Sequence, residues 1–295
     1  MSTMIRFLPE LAQWVMQALD SGQTPDALVA TMIGEKMQPE VAMAIVSAFT
    51  NARRNGHAPP VDSVIIDAEI AAPATAGSLL PPGARLQAAD RTARVLARGD
   101  SPMLALLDGL ITDDECAELI EMARPRLQPS TVVDPDSGKD VVASYRTSLG
   151  MFFRPGENAL IERLERRVSA VTNLPLENGE GLQVLWYPPG AGSSPHHDFL
   201  APTNPANQAS IARSGQRVST VLTYLNDVEA GGETFFPLAG WSVTPQRGTS
   251  LYFESCDRLG RVDPRSLHAA NPVVTGEKWV ATKWMRQRRF VSAGN

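Results

Sequence analysis

Residues 182–198 read LQVLWYPPGAGSSPHHD, and this stretch decides which fold and which chemistry the chain can have. The first six residues form an apolar run of strand length, and Pro188 to Gly192 after it are typical of a turn. His196 and Asp198 follow, two positions apart. Alternate residues of an extended chain point to the same side, so this imidazole and this carboxylate can bind one cation together. The alternative is a solvated histidine beside a surface aspartate.

A third metal ligand has to come from a short list, because the chain has only four histidines. His268 lies in a strand-like run 70 residues after Asp198 and is the best candidate. His57 lies in a proline-rich stretch and is a poor one, and alternation points His197 away from the metal. Two histidines and one carboxylate leave coordination positions open, as in the non-haem Fe(II) oxygenases.

Composition limits the class of protein. The 295 residues are 43% hydrophobic and 20% charged, which is enough for about two domains with a buried core. A net charge of −5 argues against a nucleic-acid partner bound by a broad basic surface. Cys116 and Cys256 are too few for a disulfide scaffold or a zinc cluster. Without a signal-peptide pattern or a long apolar run, we expect a cytoplasmic location and no membrane partner.

The first third of the chain divides into two predicted parts. Residues 1–56 show apolar residues at three-to-four spacing in three segments and are predicted to form a small helical domain. These helices either only pack together or dock a partner or substrate. Residues 57–102 are rich in proline and alanine, and we predict a linker that packs in part on the next domain, with a short strand at 64–66.

Residues 103–295 are predicted to be mostly β with flanking helices. We expect a strand at 104–107, then helices at 113–127 and 158–172. The strand-like runs that follow are 182–187, 218–225, 249–253, 268–274 and 278–285. This order favours an antiparallel sandwich or barrel. Residues 201–216 are predicted to be a loop, which either closes over a substrate or simply connects.

One late strand carries an unusual lysine. Residues 276–284 read GEKWVATKW, and alternation places Lys278 on the same face as Val280, Thr282 and Trp284. A lysine on an inward face costs free energy unless an anion meets it. An anionic co-substrate would explain its presence. The alternative is a solvent-facing Lys278 on an edge strand.

From Met103 to Phe290 the chain resembles the catalytic domain of the collagen-type prolyl 4-hydroxylases, within the 2-oxoglutarate- and Fe(II)-dependent dioxygenases. Seven blocks in the family's order carry the resemblance: YRTS at 145–148, LQVLWY at 182–187, PHHDF at 195–199, QRVSTVLTYLNDV at 216–228, GGETFFP at 231–237, SLHA at 266–269 and GEKWVATKW at 276–284. It implies a double-stranded β-helix (jelly roll), which would follow the small α-helical domain that the apolar spacing predicts. The Gly231-Gly232 pair is interpreted as a hairpin feature.

The resemblance also implies a ligand set and a reaction. It implies His196, Asp198 and His268 as Fe(II) ligands. For the co-substrate pocket it implies Lys278, facing the distal carboxylate of 2-oxoglutarate, with Tyr187, Thr220 and Trp284. The implied activity is hydroxylation of an unactivated C–H bond, of a prolyl residue in a peptide or protein. It would use 2-oxoglutarate and O₂ as co-substrates, with ascorbate as a candidate reductant and no catalytic side chain beyond the metal ligands.

Substrate recognition is where the chain departs from the family pattern. Many members carry an aromatic residue three positions before the first metal histidine, where this chain has Ser193. Arg286 is a candidate cation for substrate, or an exposed arginine at a strand end. Two other functions stay open: the same chemistry on a free amino acid or small metabolite, and a metal-binding scaffold or sensor without turnover.

Overall fold

The computed structural model describes residues 2–54, 57–67, 78–133, 140–142, 147–257 and 259–292. The chain divides into two compact units, Met1–Thr75 and Ala76–Asn295. The first unit thus extends past residue 56, where the sequence analysis ends the helical domain. No helix in the described part of the chain is long and apolar enough to cross a membrane.

The first unit contains the three predicted helices and a two-stranded antiparallel sheet. The helices are α1 (Pro9–Asp20), α2 (Pro25–Gly34) and α3 (Pro39–Arg54), and the strands are β1 (Ser2–Arg6) and β2 (Ser63–Asp67). Its buried core includes Val15, Leu28, Ile45 and Phe49. The short predicted strand at 64–66 is confirmed as part of β2, whereas β1 was not predicted. Five residues show no clear period, and β1 forms only because β2, far along the chain, pairs with it.

The second unit is mostly strand, with three further α-helices in its described residues. The strands are β3 (Arg85–Ala88), β4 (Arg91–Asp100), β5 (Met103–Asp108), β6 (Gln128–Pro129), β7 (Thr131–Val133), β8 (Asp140–Val142), β9 (Leu149–Phe153), β10 (Leu182–Tyr187), β11 (Ser193–His196), β12 (Arg217–Tyr224), β13 (Ala230–Gly231), β14 (Thr234–Phe236), β15 (Trp241–Val243), β16 (Ser250–Glu254), β17 (His268–Ala270), β18 (Val273–Thr275) and β19 (Lys278–Arg286). The helices are α4 (Asp113–Ala123), α5 (Ala159–Thr172) and α6 (Pro205–Ser214).

Two antiparallel sheets pack face to face. The larger has the order β3-β4-β5-β16-β12-β19-β10-β9-β6, and the smaller has the order β11-β17-β14-β15. Leu185, Tyr224 and Phe253 of the larger sheet pack in one cluster with Phe236 and Val243 of the smaller. The predicted fold, a mostly β double-stranded β-helix with flanking helices and a small N-terminal helical part, is confirmed.

The outer face of the larger sheet is covered by helices. Leu119 of α4 and Leu164 of α5 pack against Trp279 and Ala281 of β19. Thr112 caps α4, because its hydroxyl accepts from the amide of Glu115, whose carboxylate accepts from the Thr112 amide in return. The interior strand β19 therefore has one face toward the helices and the other toward the smaller sheet.

Three segments differ from the sequence expectations. Residues 85–100, inside the predicted linker, form β3 and β4 of the large sheet. Residues 201–216, predicted as a loop, contain α6, which Asn204 caps by accepting from the amide of Asn207. Small polar residues give α6 no apolar stripe, so only the Asn-Pro start indicates it. The expected strand 268–274 divides into β17 and β18 around Pro272. Tyr145 and Arg146 of the YRTS block lie outside the described residues.

Candidate metal centre and co-substrate pocket

Three ligand-type side chains meet at one edge of the smaller sheet. His196 at the end of β11 and His268 at the start of β17 are directly paired across the two strands. Their Nε2 atoms lie 4.0 Å and 3.9 Å from Oδ1 of Asp198. The ligand atoms of all three residues lie within 4.8 Å of one another, a group that could hold one metal ion. The register between β11 and β17 therefore brings the two histidines together. The spacing of two residues between His196 and Asp198 adds the carboxylate.

The backbone sets the orientation of both imidazoles. Nδ1 of His196 lies 2.9 Å from the carbonyl oxygen of Ser194, and Nδ1 of His268 lies 2.9 Å from that of Ser266. A carbonyl only accepts, so Nδ1 carries the proton and Nε2 of a neutral ring keeps its lone pair. Both Nε2 atoms are thus available as metal ligands, and the hydrogen bonds at Nδ1 hold the rings in place.

Asp198 is buried, and it is ionised at neutral pH. Oδ1 faces the two imidazoles, while Oδ2 accepts a hydrogen bond of 2.7 Å from the hydroxyl of Thr220. Burial acts to raise the pKa of Asp198, but His268, His196, the Thr220 hydroxyl and Arg217 together lower that pKa to about 2. Two neutral imidazoles and one carboxylate are the donor set that suits Fe(II) with open positions, so the residues fit the expected metal.

The other two histidines lie elsewhere. His197 contacts the carbonyl oxygen of Pro264 through Nε2 at 3.0 Å, and its ring stacks on Phe199 at 4.4 Å. It therefore points to the segment before His268, as alternation predicts. His57 is exposed and belongs to the first unit.

A buried lysine lies on the inner face of the large sheet. Lys278 is 1% exposed and is the direct cross-strand neighbour of Tyr187. Its Nζ donates to the carbonyl oxygen of Gly232 at 2.6 Å and lies 5.3 Å and 5.6 Å from the ring centroids of Tyr187 and Tyr224. Among the described residues, no carboxylate forms an ion pair with Lys278. The inward orientation, rather than the solvent-facing alternative, is what the structure shows.

This environment suits a carboxylate ligand. Burial lowers the pKa of Lys278 to about 7, and the negative charge of Glu233 only partly opposes this. An anion against Nζ would restore the charged form. The hydroxyl of Tyr224 donates to Oγ1 of Thr234 at 2.8 Å, which adds a second polar group to the same end of the barrel. This setting is compatible with the expectation that Lys278 faces the distal carboxylate of 2-oxoglutarate.

Several residues of this pocket were not singled out from the sequence. Tyr224 and Thr234 lie inside quoted blocks, but strand alternation alone did not separate them from core residues. Gly232 was interpreted only as a hairpin residue. Its φ of +73° does mark a turn, but its carbonyl also accepts from Lys278, so the turn helps to hold the pocket.

Thr220 and Trp284 lie away from Lys278. They are cross-strand neighbours on β12 and β19, and Trp284 is six residues from Lys278, or about 20 Å along the strand. Thr220 bonds to Asp198, and the guanidinium of Arg217 lies over the Trp284 ring at 4.0 Å. The structure thus places both residues beside the metal cluster instead of at the Lys278 end.

The two candidate substrate residues have different settings. Arg286 is 1% exposed, so it is not the strand-end surface arginine, and each of its guanidinium nitrogens has a partner. These partners are Gly215, Ser210 and Glu180. Arg286 instead attaches the C-terminal end of α6 to β19. Ser193 is half-buried on β11, and its hydroxyl lies 3.5 Å from the carbonyl oxygen of Ser194.

A buried ion network connects α6 to the metal cluster. Arg217 donates two hydrogen bonds to Glu180, at 2.7 Å and 2.9 Å, and Arg286 donates a third at 3.0 Å. Arg217 also reaches the backbone oxygen of Asp198 at 3.4 Å. Burial acts to raise the pKa of Glu180, but the two arginines hold it below its usual value. Sequence reasoning missed this network, because its members are 37 to 106 residues apart.

A jelly roll with a His/Asp/His cluster at one edge of its smaller sheet indicates a class of protein, the non-haem iron oxygenases. Residues 182–286 match the model of the 2OG-Fe(II) oxygenase superfamily. Prolyl 4-hydroxylase 1 from Arabidopsis thaliana is 44% identical over 203 residues, covering 64% of this chain and 70% of that protein. Prolyl 4-hydroxylase 5 from the same plant is 40% identical over 208 residues, with the same coverage.

A solved structure is similar as well. The viral collagen prolyl hydroxylase from Paramecium Bursaria Chlorella virus-1, in its 2OG complex, aligns with a TM-score of 0.50 and 29% identity. The alignment covers 62% of this chain and 95% of the viral one. The chain belongs to the prolyl 4-hydroxylase family of the 2OG-Fe(II) oxygenases. It is accordingly an oxygenase that uses Fe(II) and 2-oxoglutarate.

Proposed function

We propose that this enzyme hydroxylates prolyl residues in a peptide or protein, with His196, Asp198 and His268 as the Fe(II) ligands. The cluster of these three side chains is the observation that carries the proposal. Bound Fe(II), with 2-oxoglutarate and O₂, supplies the oxidising power for hydroxylation of an unactivated C–H bond. The protein's own part is to hold the metal, orient the co-substrate and substrate, and keep the pocket dry.

Lys278 is the proposed partner of the distal carboxylate of 2-oxoglutarate. Its ammonium group is buried, lacks a carboxylate partner among the described residues, and keeps donors beyond the one used by Gly232. Tyr187 and Tyr224 form the walls around Nζ. A charged lysine held in this way binds a carboxylate tightly, because little solvent competes for either group.

The face beside the metal cluster favours a peptide. Cross-strand register places Phe152, Gln183 and Thr282 in one row, next to the Thr220–Trp284 pair. Nε1 of Trp284 and Oε1 of Gln183 are buried and have no hydrogen-bond partner within the described chain. Phe152 is 52% exposed and lies 6.4 Å from the Trp284 ring, so an apolar surface is available for a pyrrolidine ring.

The test compares substrates with Fe(II) and 2-oxoglutarate present. Proline-rich peptides are expected to stimulate succinate release and to yield a product heavier by one oxygen atom on a prolyl residue, by mass spectrometry. Turnover of free proline or another amino acid alone would favour the metabolite alternative. Absence of succinate with every substrate would favour the scaffold alternative. The variant His268→Ala serves as the control without the proposed ligand set.

We also propose that the first unit docks a long substrate. Met4, Leu8, Trp14 and Val61 are large apolar residues that the first unit leaves exposed. If these residues hold a long substrate, Leu8→Ser raises KM for a long peptide and leaves KM for a short one unchanged. Equal KM values for both peptides would leave packing as the role of the unit.

A cytoplasmic location is proposed as well. Cys116 and Cys256 are both free and buried, which agrees with a reducing compartment. Cell fractionation with an antibody against the native protein checks this, and recovery in a secreted or membrane fraction would contradict it.

A further inference from the structure

The two oxygens of Asp198 have different partners. Oδ1 lies 4.0 Å and 3.9 Å from the Nε2 atoms of His196 and His268, and it is the oxygen aimed into the cluster. Oδ2 accepts the hydroxyl hydrogen of Thr220 at 2.7 Å. The carboxylate is thus held in one rotational state, with one oxygen for the metal and one for the protein.

We infer that Thr220 is a positioning residue that makes Asp198 a one-oxygen metal ligand. The inference rests on the proposed ligand set and extends it. A carboxylate can bind a metal through one oxygen or through both. A second oxygen on the ion would occupy a position that the co-substrates need. By engaging Oδ2, the Thr220 hydroxyl leaves that position open.

The surroundings of Thr220 give its hydroxyl a fixed position. Thr220 is 1% exposed on β12, in the centre of the large sheet, between Phe253 of β16 and Trp284 of β19. A β-branched side chain on a paired strand has few accessible rotamers. Arg217 on the same strand reaches the backbone oxygen of Asp198, so β12 contacts both the backbone and the side chain of this ligand.

The competing role for Thr220 is direct contact with 2-oxoglutarate, which the family resemblance implies. The two roles predict different losses. A residue of the co-substrate pocket affects 2-oxoglutarate binding and leaves the affinity for a metal alone unchanged. A residue that positions Asp198 affects metal affinity even without 2-oxoglutarate.

Three variants separate these roles. Thr220→Val keeps the shape and removes the hydroxyl, whereas Thr220→Ser keeps the hydroxyl. Thr223→Val is the matched control, because the Thr223 hydroxyl on the same strand bonds to Ser250 at 2.8 Å. The affinity of each full-length protein for Co(II) is measured by titration without 2-oxoglutarate, together with the visible absorption bands of bound Co(II). Urea unfolding of each variant without metal checks the fold.

Thr220→Val is expected to weaken Co(II) binding roughly 10- to 100-fold, the usual effect of losing a hydrogen-bond partner of a metal ligand. Its Co(II) bands should shift, because the coordination of Asp198 changes. Thr220→Ser and Thr223→Val should both keep the wild-type affinity and bands. If Thr220→Val fails to fold, Thr220→Ala provides the same contrast with the serine variant.

Two results would overturn the inference. One is wild-type Co(II) affinity in Thr220→Val with a loss confined to 2-oxoglutarate, which assigns Thr220 to the co-substrate. The other is an equal loss in Thr220→Ser, which shows a packing role. His268→Ala separates these failures from failure of the ligand set itself. If it too binds Co(II) like the wild type, the proposed metal site is wrong.

Discussion

Two lysines on β19 show how one strand serves both the fold and the site. Lys278 and Lys283 are 1% and 2% exposed, and an odd spacing places them on opposite faces of the sheet. Lys283 donates to the carboxylate of Glu165 at 2.5 Å and to the carbonyl oxygen of Glu180. Lys278 donates to the carbonyl oxygen of Gly232 and faces the rings of two tyrosines.

The difference lies in the counter-charge. Burial lowers the pKa of both lysines, but Glu165 opposes this for Lys283 at contact distance. A buried ammonium with its own carboxylate completes an ion pair of the fold. A buried ammonium without one is stabilised only when an anion arrives from outside. The helix-covered face of β19 therefore carries a structural lysine, and the opposite face carries the lysine that we propose to bind 2-oxoglutarate.

Lys283→Met should have the largest effect of the substitutions on this strand, and the effect is on stability. Removing one partner leaves Glu165 as an uncompensated buried charge, which costs about 3–5 kcal/mol. Urea unfolding measures the loss. The double variant Lys283→Met/Glu165→Leu removes both charges and should recover most of the free energy of unfolding. Equal losses in the single and double variants would show that the ion pair is not the reason.

Lys278→Met should have the opposite profile. The free energy of unfolding stays the same or rises, because an unpaired buried ammonium is replaced by an apolar chain of similar length. Binding of 2-oxoglutarate should weaken by about 2–5 kcal/mol, the cost of leaving a buried carboxylate unpaired. Calorimetric titration with Mn(II) in place of Fe(II) measures it. Retained affinity together with lost stability would reverse the roles assigned to the two lysines.

Gly179→Ala tests how tightly Lys283 is held. An added Cβ would lie 2.6 Å from Cε and 3.0 Å from Nζ of Lys283, closer than packed atoms approach. Because Glu165 holds the ammonium group, the lysine cannot move aside freely, and we expect a loss of about 1–3 kcal/mol in unfolding. In a Lys283→Met background the loss of unfolding free energy should be smaller, because the flexible methionine side chain can move away from the added Cβ. Strict additivity of the two substitutions would contradict this contact.

The smallest effect is the pH dependence of 2-oxoglutarate binding. The pKa of Lys278 is about 7 in the free protein, and a bound carboxylate raises it. Above pH 7 the lysine must therefore take up a proton when the ligand binds, so Kd rises by up to about tenfold per pH unit. Below this range the lysine is already charged, and its contribution is constant. Titrations at pH 8 in buffers of different ionisation enthalpy should show uptake of nearly one proton.

If no proton is taken up when 2-oxoglutarate binds at pH 8, Lys278 is charged even without a bound anion. Lys278→Met is the control, because it has no group to titrate and its weak binding should lack this pH dependence. Among the described residues, Glu233 and the two tyrosines are the other ionisable groups near Lys278. Burial raises the pKa of Tyr224 further from this range, so it stays neutral throughout.

Much of the strand pattern could be predicted from the sequence. The expected boundaries of β10, β12 and β19 agree with the structure to within one residue. These strands are long apolar runs between turn signals, and such runs need no partner to be recognised. By contrast, β3 and β4 were assigned to a linker, since RTARVLARGD lacks a clean alternation. They are strands because β5 pairs with β4 along its edge.

Two structural corrections lie near the site. Arg286, which the sequence predicts to face substrate or solvent, is buried against α6 and Glu180. Residues 201–216 were expected to be a loop, and they hold α6. The setting of Arg286 has no local signal, because its partners are 71 to 106 residues away along the chain. The only local signal for α6 is its Asn-Pro start.

The sequence by itself determined the chemistry of this enzyme: an imidazole and a carboxylate two residues apart, a third histidine, and a lysine on the inward side of a strand. The His-x-Asp pair and the inward side of Lys278 follow from a spacing of two residues, which backbone periodicity turns directly into a shared face. The third histidine follows from there being so few histidines in the chain. Tertiary structure alone decided how each group is used. The pairing of β11 with β17 brings His268 to His196, and β12 brings the Thr220 hydroxyl to one oxygen of Asp198. Register between distant strands sets these contacts, and no local pattern encodes it.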